Sequence, residues 1–243
     1  MTDMDARIKK YKAILFDMDG TVLDTLTDLT AAVNYAMAQT GHRCGYTRED
    51  TRYFFGSGAR TAIRRALARE AGAALADLLL IGSADEQEES ERILTVFKPY
   101  YEAHCREATA PYPGIEALLQ TLRGAGLYTA VVSNKPDPAV QILAAAHFPG
   151  LFDFAAGERA GIPRKPAPDM VWQVLREMDV QPQEALYVGD SEIDIQTAAQ
   201  AGMVCAAVTW GFRDRESLES LQPDFMADTA EELLEICLSG AVM

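Results

Sequence analysis

The stretch at residues 11–24, YKAILFDMDGTVLD, decides the fold. Ala13-Ile14-Leu15-Phe16 is short and wholly apolar; Asp17 and Asp19 follow at once, and Gly20 and Thr21 then punctuate the chain. An apolar run of this length reads as a strand of a parallel sheet, buried on both faces. Its two acids fall at the C-terminal edge, beyond which open α/β sheets bind their ligands. Close carboxylates repel, so such a site holds a cation or shifts a pKa. A hard dication with oxygen and water ligands, Mg²⁺, suits this donor set. Taken alone, the stretch reads equally well as a strand followed by an acidic turn.

In 243 residues there is room for one large domain, or a domain with a smaller insert, and ample core. The formal net charge is −14, which argues against nucleic acid and anionic membrane surfaces as main partners. An anionic substrate would therefore need a local cation to reverse the field. Cys44, Cys105, Cys205 and Cys237 are far apart and form no CxxC pair, the pattern of reduced thiols rather than of a disulfide frame or zinc site. The N-terminal MTDMDARIKK has no apolar signal region, and no segment approaches a membrane span. A cytoplasmic location is expected, with monomer and homodimer both open.

Residues 25–40 place Leu26, Leu29, Val33 and Met37 at helical spacing, and Gly41 follows as a C′ residue. No strand is expected from there to about residue 106. Thr47 with Asp50 three residues on reads as a helix start, Phe54-Phe55-Gly56-Ser57-Gly58 as a loop, and 59–71, 75–81 and 85–105 as helical, with Pro99 kinking or splitting the last. Ala110-Pro111-Tyr112-Pro113-Gly114 is a stiff linker into a helix at 115–125. Strands then alternate with helices: strands at 128–132, 151–155, 185–188, 204–208 and 225–226, helices at 138–147, 169–178, 193–201 and 230–238. That alternation means βαβ units and a parallel sheet. The first strand stands alone before the helical block, so the block is an insertion. The expected organisation is an α/β, Rossmann-like parallel-sheet core at 1–24 and 107–243 with an inserted all-α cap at 25–106.

Polar residues follow each strand end. Ser133-Asn134-Lys135 follows the strand at 128–132, and Gly189-Asp190, with Asp194 four residues later, follows the strand at 185–188. Lys165 sits in a loop braced by Pro163, Pro166 and Pro168. Singly, each has a structural explanation: Ser133 as a turn residue, Lys165 as a solvated lysine, Asp190 and Asp194 as a helix cap and first-turn acid. Together, at neighbouring strand ends, they suit phosphoryl transfer. That chemistry needs an in-line nucleophile, a proton donor for the leaving oxygen, and positive charge against the transferring oxygens. A carboxylate serves as such a nucleophile through an aspartyl-phosphate. Lys165 and Ser133 would supply charge and a hydrogen bond to the phosphoryl group.

FDMDGT (16–21), VVSN (131–134), RKPAP (164–168) and GDSEID (189–194) resemble, in order, the four motifs of the haloacid dehalogenase superfamily of phosphatases. The resemblance covers essentially the whole chain. It implies Asp17 as nucleophile and Asp19 as general acid, then base. It also implies Mg²⁺ held by Asp17, the Asp19 peptide carbonyl and Asp190, with Asp194 assisting, and Thr21 and Asn134 at the substrate. The helical insert resembles the family's C1 cap. Within the superfamily, DGTVLDTLTDLTAAVNYAM, GSGAR, and GDSEIDIQTAAQAGM followed by VTWGFR are most similar to phosphoglycolate phosphatases. A small phosphorylated metabolite, 2-phosphoglycolate, is the implied substrate. The loop Gly56-Ser57-Gly58-Ala59-Arg60 opens a helix and so offers backbone N–H groups to the substrate's carboxylate, with Ser57 and Arg60 expected at the same end and Arg60 adding charge.

Asp19 argues against a dehalogenase, because cleavage of an alkyl halide needs no leaving-group proton. A β-phosphoglucomutase-like phosphotransferase shares the motifs and cap, and a pyrophosphatase or nucleotidase of the same build remains open. A receiver domain is shorter and has no cap, and a non-catalytic phosphate sensor has no need of Asp19.

Overall fold

The computed structural model describes residues 11–81 and 88–239. In chain order its elements begin with β1 (Ala13–Phe16) and β2 (Leu23–Asp24). A helical block follows: α1 (Leu26–Gln39), α2 (Arg48–Phe54), α3 (Ala59–Glu70), α4 (Leu75–Leu78) and α5 (Glu88–His104). The chain then returns through β3 (Ala110–Pro111), α6 (Ile115–Gly124), β4 (Tyr128–Pro136), α7 (Asp137–His147), β5 (Phe154–Glu158) and α8 (Asp169–Glu177). It closes with β6 (Ala185–Gly189), α9 (Glu192–Ala201), β7 (Val204–Val208), α10 (Arg215–Ser220), β8 (Phe225–Ala227) and α11 (Ala230–Ser239). Among the described residues, no helix is long and apolar enough to cross a membrane.

The main sheet runs β5-β4-β1-β6-β7-β8, all parallel, with β1 between β4 and β6. Strand periodicity explains why β1 is apolar throughout. Ile14 and Phe16 face one core with Leu186 and Val188, whereas Ala13 and Leu15 face another with Ala185 and Tyr187. The first core continues into the helical block through Phe54, Ile93 and Phe97. The second lies under α8 and α9, with Val171 and Ala198 among its residues.

Several expectations need correction. β5 starts at Phe154 rather than Leu151. Phe152 instead packs edge-on against Phe16 and Phe148, and the Leu151 carbonyl accepts from Thr129 Oγ1, so that apolar stretch fills a turn over the sheet. Pro99 does not split α5. It is exposed, while Ile93, Leu94, Phe97 and Tyr101 bury the opposite face and hold the helix across the missing donor. The expected start of this helix at 85 lies outside the described residues. α10 had no anticipated counterpart.

Neither did the short antiparallel ribbon of β2 with β3, which joins the two passages between sheet and helical block. Beside it, the buried Asp28 on α1 accepts from Ala108 N at 3.0 Å, Thr109 N at 2.9 Å and Thr109 Oγ1 at 2.8 Å. These bonds tie the entrance of the helical block to its exit. Asp28→Ala orphans those donors and is expected to lower stability by about 2–3 kcal/mol, read as a lower urea midpoint with unchanged slope. An unchanged midpoint would show that the two passages are held together by other contacts.

Candidate active site

Because β4, β1 and β6 are neighbours, their C-terminal ends bring Ser133, Asp17 and Asp190 to one edge. Lys165, from the loop before α8, reaches across it. Its Nζ lies 2.9 Å from Asp17 Oδ1 and 2.8 Å from Asp194 Oδ1, and donates to Tyr187 Oη at 3.1 Å. All three donors of the ammonium are thereby used. Burial disfavours the charge, but Asp17 and Asp194 outweigh it and raise the Lys165 pKa well above its ordinary value. Lys165 is therefore a fixed positive charge.

Two local features allow this packing. The Asn134 side chain accepts from Lys165 N at 2.9 Å and donates to Lys165 O at 3.0 Å, clamping the loop backbone to the end of β4. At Gly189 a Cβ would lie 2.2 Å from the Asp194 Cβ, so only glycine lets Asp194 turn in under the sheet edge. Asp194 also closes a capping box with Ser191, its Oδ2 accepting from Ser191 N and Oγ.

Carboxylate oxygens of Asp17, Asp190 and Asp194 lie within 4.8 Å of one another, all buried. Burial, opposed by Lys165 and reinforced by Asp194 and Asp19, lifts the Asp17 carboxyl from 3.8 to about 6. Burial together with Asp194 and Asp17 pushes Asp190 well above its ordinary value. Asp190 is nonetheless held in place, accepting from Thr21 Oγ1 at 2.8 Å and Phe212 N at 2.7 Å. An all-oxygen set whose charges repel and whose geometry is braced fits a hard divalent cation.

Asp19 belongs to a second cluster. Its Oδ2 is 2.9 Å from Lys135 Nζ, and its Oδ1 is buried with no hydrogen-bond partner among the described residues. Lys135 donates to Tyr101 Oη at 2.6 Å and stands 4.4 Å from the centre of that ring. Tyr101 comes from α5, so the helical block completes this cluster from above. Both groups border a cavity of about 150 Å³, with Asp17, Ser133 and Asp190 on its floor and Phe55, Gly58 and Phe97 among its cap residues.

Of the four expected substrate residues, only Asn134 borders the cavity. The Thr21 hydroxyl is spent on Asp190 and the Asn134 amide on Lys165. The Ser57 Oγ accepts from Arg65 Nη2 at 3.4 Å, and Arg60 pairs with Glu91 on α5. Gly56, Gly58 and Ala59 do border the cavity, so the loop arrives there through its backbone while Ser57 and Arg60 do not line it. Ser133 lines the floor as expected; its Oγ accepts from Lys135 N at 3.4 Å.

The family model for haloacid dehalogenase-like hydrolases matches residues 14–208. The chain belongs to this family. It is 32% identical over 231 residues to a phosphoglycolate phosphatase of Pseudomonas putida, covering 95% of this chain and 81% of that one. A crystal structure from Lactobacillus delbrueckii subsp. bulgaricus, provisionally named phosphoglycolate phosphatase, superposes with a TM-score of 0.91 at 52% identity, over 94% of this chain and 99% of that one. The CbbY protein of Rhodobacter sphaeroides, solved with phosphate, is 28% identical with a TM-score of 0.72, over 92% of this chain and 96% of that one. The chain is thus a phosphatase of the haloacid dehalogenase-like family, most similar to phosphoglycolate phosphatases.

In this phosphatase, sequence reasoning passed over Lys135, Tyr101 and Tyr187 as site residues. Reading the strand as ending at Val132 hid Lys135, because β4 runs on to Pro136 with a register shift after Val132 and carries Ser133, Asn134 and Lys135 all to the cavity. Tyr187 lies inside an apolar strand and Tyr101 on a helix's apolar stripe, and no sequence signal separates either from core.

A carboxyl whose pKa is raised in the fold contributes stability that is complete below its unfolded value and lost as pH rises through the folded one. For Asp17 that window runs from 3.8 to about 6. A divalent cation needs the carboxylate form, so it should restore more stability at higher pH. The rise in Tm on adding Mg²⁺ is expected to be small near about pH 5 and clearly larger near about pH 7.5. A rise independent of pH would contradict the assignment.

Proposed function

We propose that this phosphatase hydrolyses 2-phosphoglycolate to glycolate and phosphate, with Mg²⁺ as cofactor and an aspartyl-phosphate on Asp17 as intermediate. The observation that carries the reading is the buried Oδ1 of Asp19, unpartnered among the described residues, beside Asp17 on a small cavity closed by helices. An acid held there serves a leaving oxygen, and the relatives' names point to the ester. A cavity of about 150 Å³ favours a small ester over a phosphorylated sugar or nucleotide.

Both described hydrogen bonds to Asp17, from Met18 N at 2.7 Å and from Lys165, fall on Oδ1. Oδ2 is then the attacking atom. It bonds to phosphorus as the ester P–O bond breaks, and the leaving oxygen takes the proton of Asp19. The Asp19 carboxylate next removes a proton from water. That water's oxygen attacks phosphorus, and the Asp17–phosphorus bond breaks to give phosphate and the free carboxylate. Throughout, the Ser133 hydroxyl donates to a phosphoryl oxygen while Lys165 supplies fixed charge. Asp17, Asp190 and the Asp19 carbonyl, with Asp194 alongside, would hold Mg²⁺, which would offset the repulsion between carboxylate and phosphoryl oxygens.

Asp17→Asn retains the shape but not the nucleophile, and a loss of at least about 10³-fold in kcat is expected; near wild-type turnover would sink the mechanism. Asp19→Ala should cost about 10²–10⁴-fold on alkyl phosphates, and much less on aryl phosphates in the first step, where the leaving group needs no proton. Equal losses on both, in single-turnover measurements of leaving-group release, would remove Asp19 as the acid. A panel of small phosphate esters ranked by kcat/KM tests the substrate, with 2-phosphoglycolate expected first.

A further inference from the structure

The cavity is bordered by two cationic side chains, Lys98 and Lys135. Lys98 is exposed on α5, whereas Lys135 is buried with only 2% of its side chain accessible. A buried ammonium needs a purpose beyond solubility, since its desolvation is costly unless partners repay it. Two of its three N–H groups are taken, by Asp19 Oδ2 at 2.9 Å and Tyr101 Oη at 2.6 Å. One donor is left. Tyr101 accepts from Lys135, so its own proton is also uncommitted among the described residues. Core and cap therefore present two donors side by side, next to the acid that serves the leaving oxygen.

Chemistry says what belongs there. In the phosphate ester of an α-hydroxy acid, the carboxylate is attached to the carbon that bears the leaving oxygen. Lys135, paired with Asp19 and bordering the same cavity, is within reach of a carboxylate on that carbon. We infer that Lys135, together with Tyr101, is the receptor for the substrate's carboxylate and makes the site selective for phosphate esters of α-hydroxy acids. The inference rests on the function proposed above and takes the role from Arg60, whose guanidinium is committed to Glu91.

The arrangement has two consequences. Moving the carboxylate one carbon further from the leaving oxygen takes it off the receptor. Because Tyr101 lies on α5 and Lys135 on β4, the receptor is complete only with the helical block down. A carboxylate bridging the two then favours closure, and an ester with an apolar tail does not.

The test compares kcat/KM for 2-phosphoglycolate, ethyl phosphate and 3-phosphooxypropanoate in wild type, Lys135→Met and Tyr101→Phe, each checked for cooperative melting. Lys135→Met leaves Asp19 unpaired and will slow every ester, so the readout is the ratio between substrates. The 2-phosphoglycolate to ethyl phosphate ratio is expected to fall at least about 30-fold in Lys135→Met and about 3–10-fold in Tyr101→Phe. In wild type, 3-phosphooxypropanoate should behave like ethyl phosphate. If wild type prefers 2-phosphoglycolate while both variants keep the wild-type ratio, this inference is overturned and the proposed function stands. A wild type with no preference for 2-phosphoglycolate overturns the proposed function, and the receptor with it. Should Lys135→Met fail to melt cooperatively, Tyr101→Phe decides alone: its ring still stacks on Phe97, and an unchanged ratio rejects the receptor.

Discussion

The buried ammonium of Lys165 is the interaction on which the site depends. Asp17, Asp190 and Asp194 crowd at one sheet edge with almost no access to water. Without a fixed cation, such a cluster would protonate or force the fold apart. Lys165 neutralises part of it permanently, and its own charge survives burial only because Asp17 and Asp194 surround it. Each brace then has a reason. Asn134 holds the loop that delivers Lys165, Tyr187 receives its third donor, and Gly189 leaves space for Asp194. The charge that remains fits a divalent cation.

The helical block is joined to this edge by polar bonds as well as apolar packing. Arg213, which follows β7, pairs with Glu192 at 2.7 Å and donates to the carbonyls of Arg52 at 2.7 Å and Phe55 at 2.9 Å. In return, Arg52 donates to the carbonyls of Phe212 at 2.9 Å and Gly211 at 3.2 Å. These bonds draw the loop after α2 over the strand ends, beside the backbone amide of Phe212 that holds Asp190. Closure thus excludes water from the place where fixed charges act, and there electrostatic stabilisation is strongest.

A net charge of −14 sets the problem that the site solves locally. The surface field repels anions, yet the cavity places Lys135 on its wall and Lys165 just beneath its floor. Both are buried, so neither is much screened by salt, and each acts at short range. The local field at the cavity is set by these two buried charges and the neighbouring acids rather than by the protein's overall charge.

The sequence by itself determined the α/β core, the position of β1 as its first strand, the helical insertion and the acids Asp17, Asp19, Asp190 and Asp194. These are legible because they are local: an apolar run ending in carboxylates, alternating periods, and motifs whose spacing reflects one strand and its turn. The roles of Thr21 and Asn134 were not legible. Their partners, Asp190 and Lys165, are far away in sequence, and a polar side chain beside a motif looks the same whether it faces substrate or braces a neighbour. Arg60 and Ser57 failed for a related reason: a helix start predicts where amides point, not which way a long side chain leaves the turn. Only the tertiary structure decided that Lys135, Asp19 and Tyr101 form one cluster. That cluster depends on the extra length of β4 and on α5 reaching down to it, and the choice among packings is made by the whole core at once.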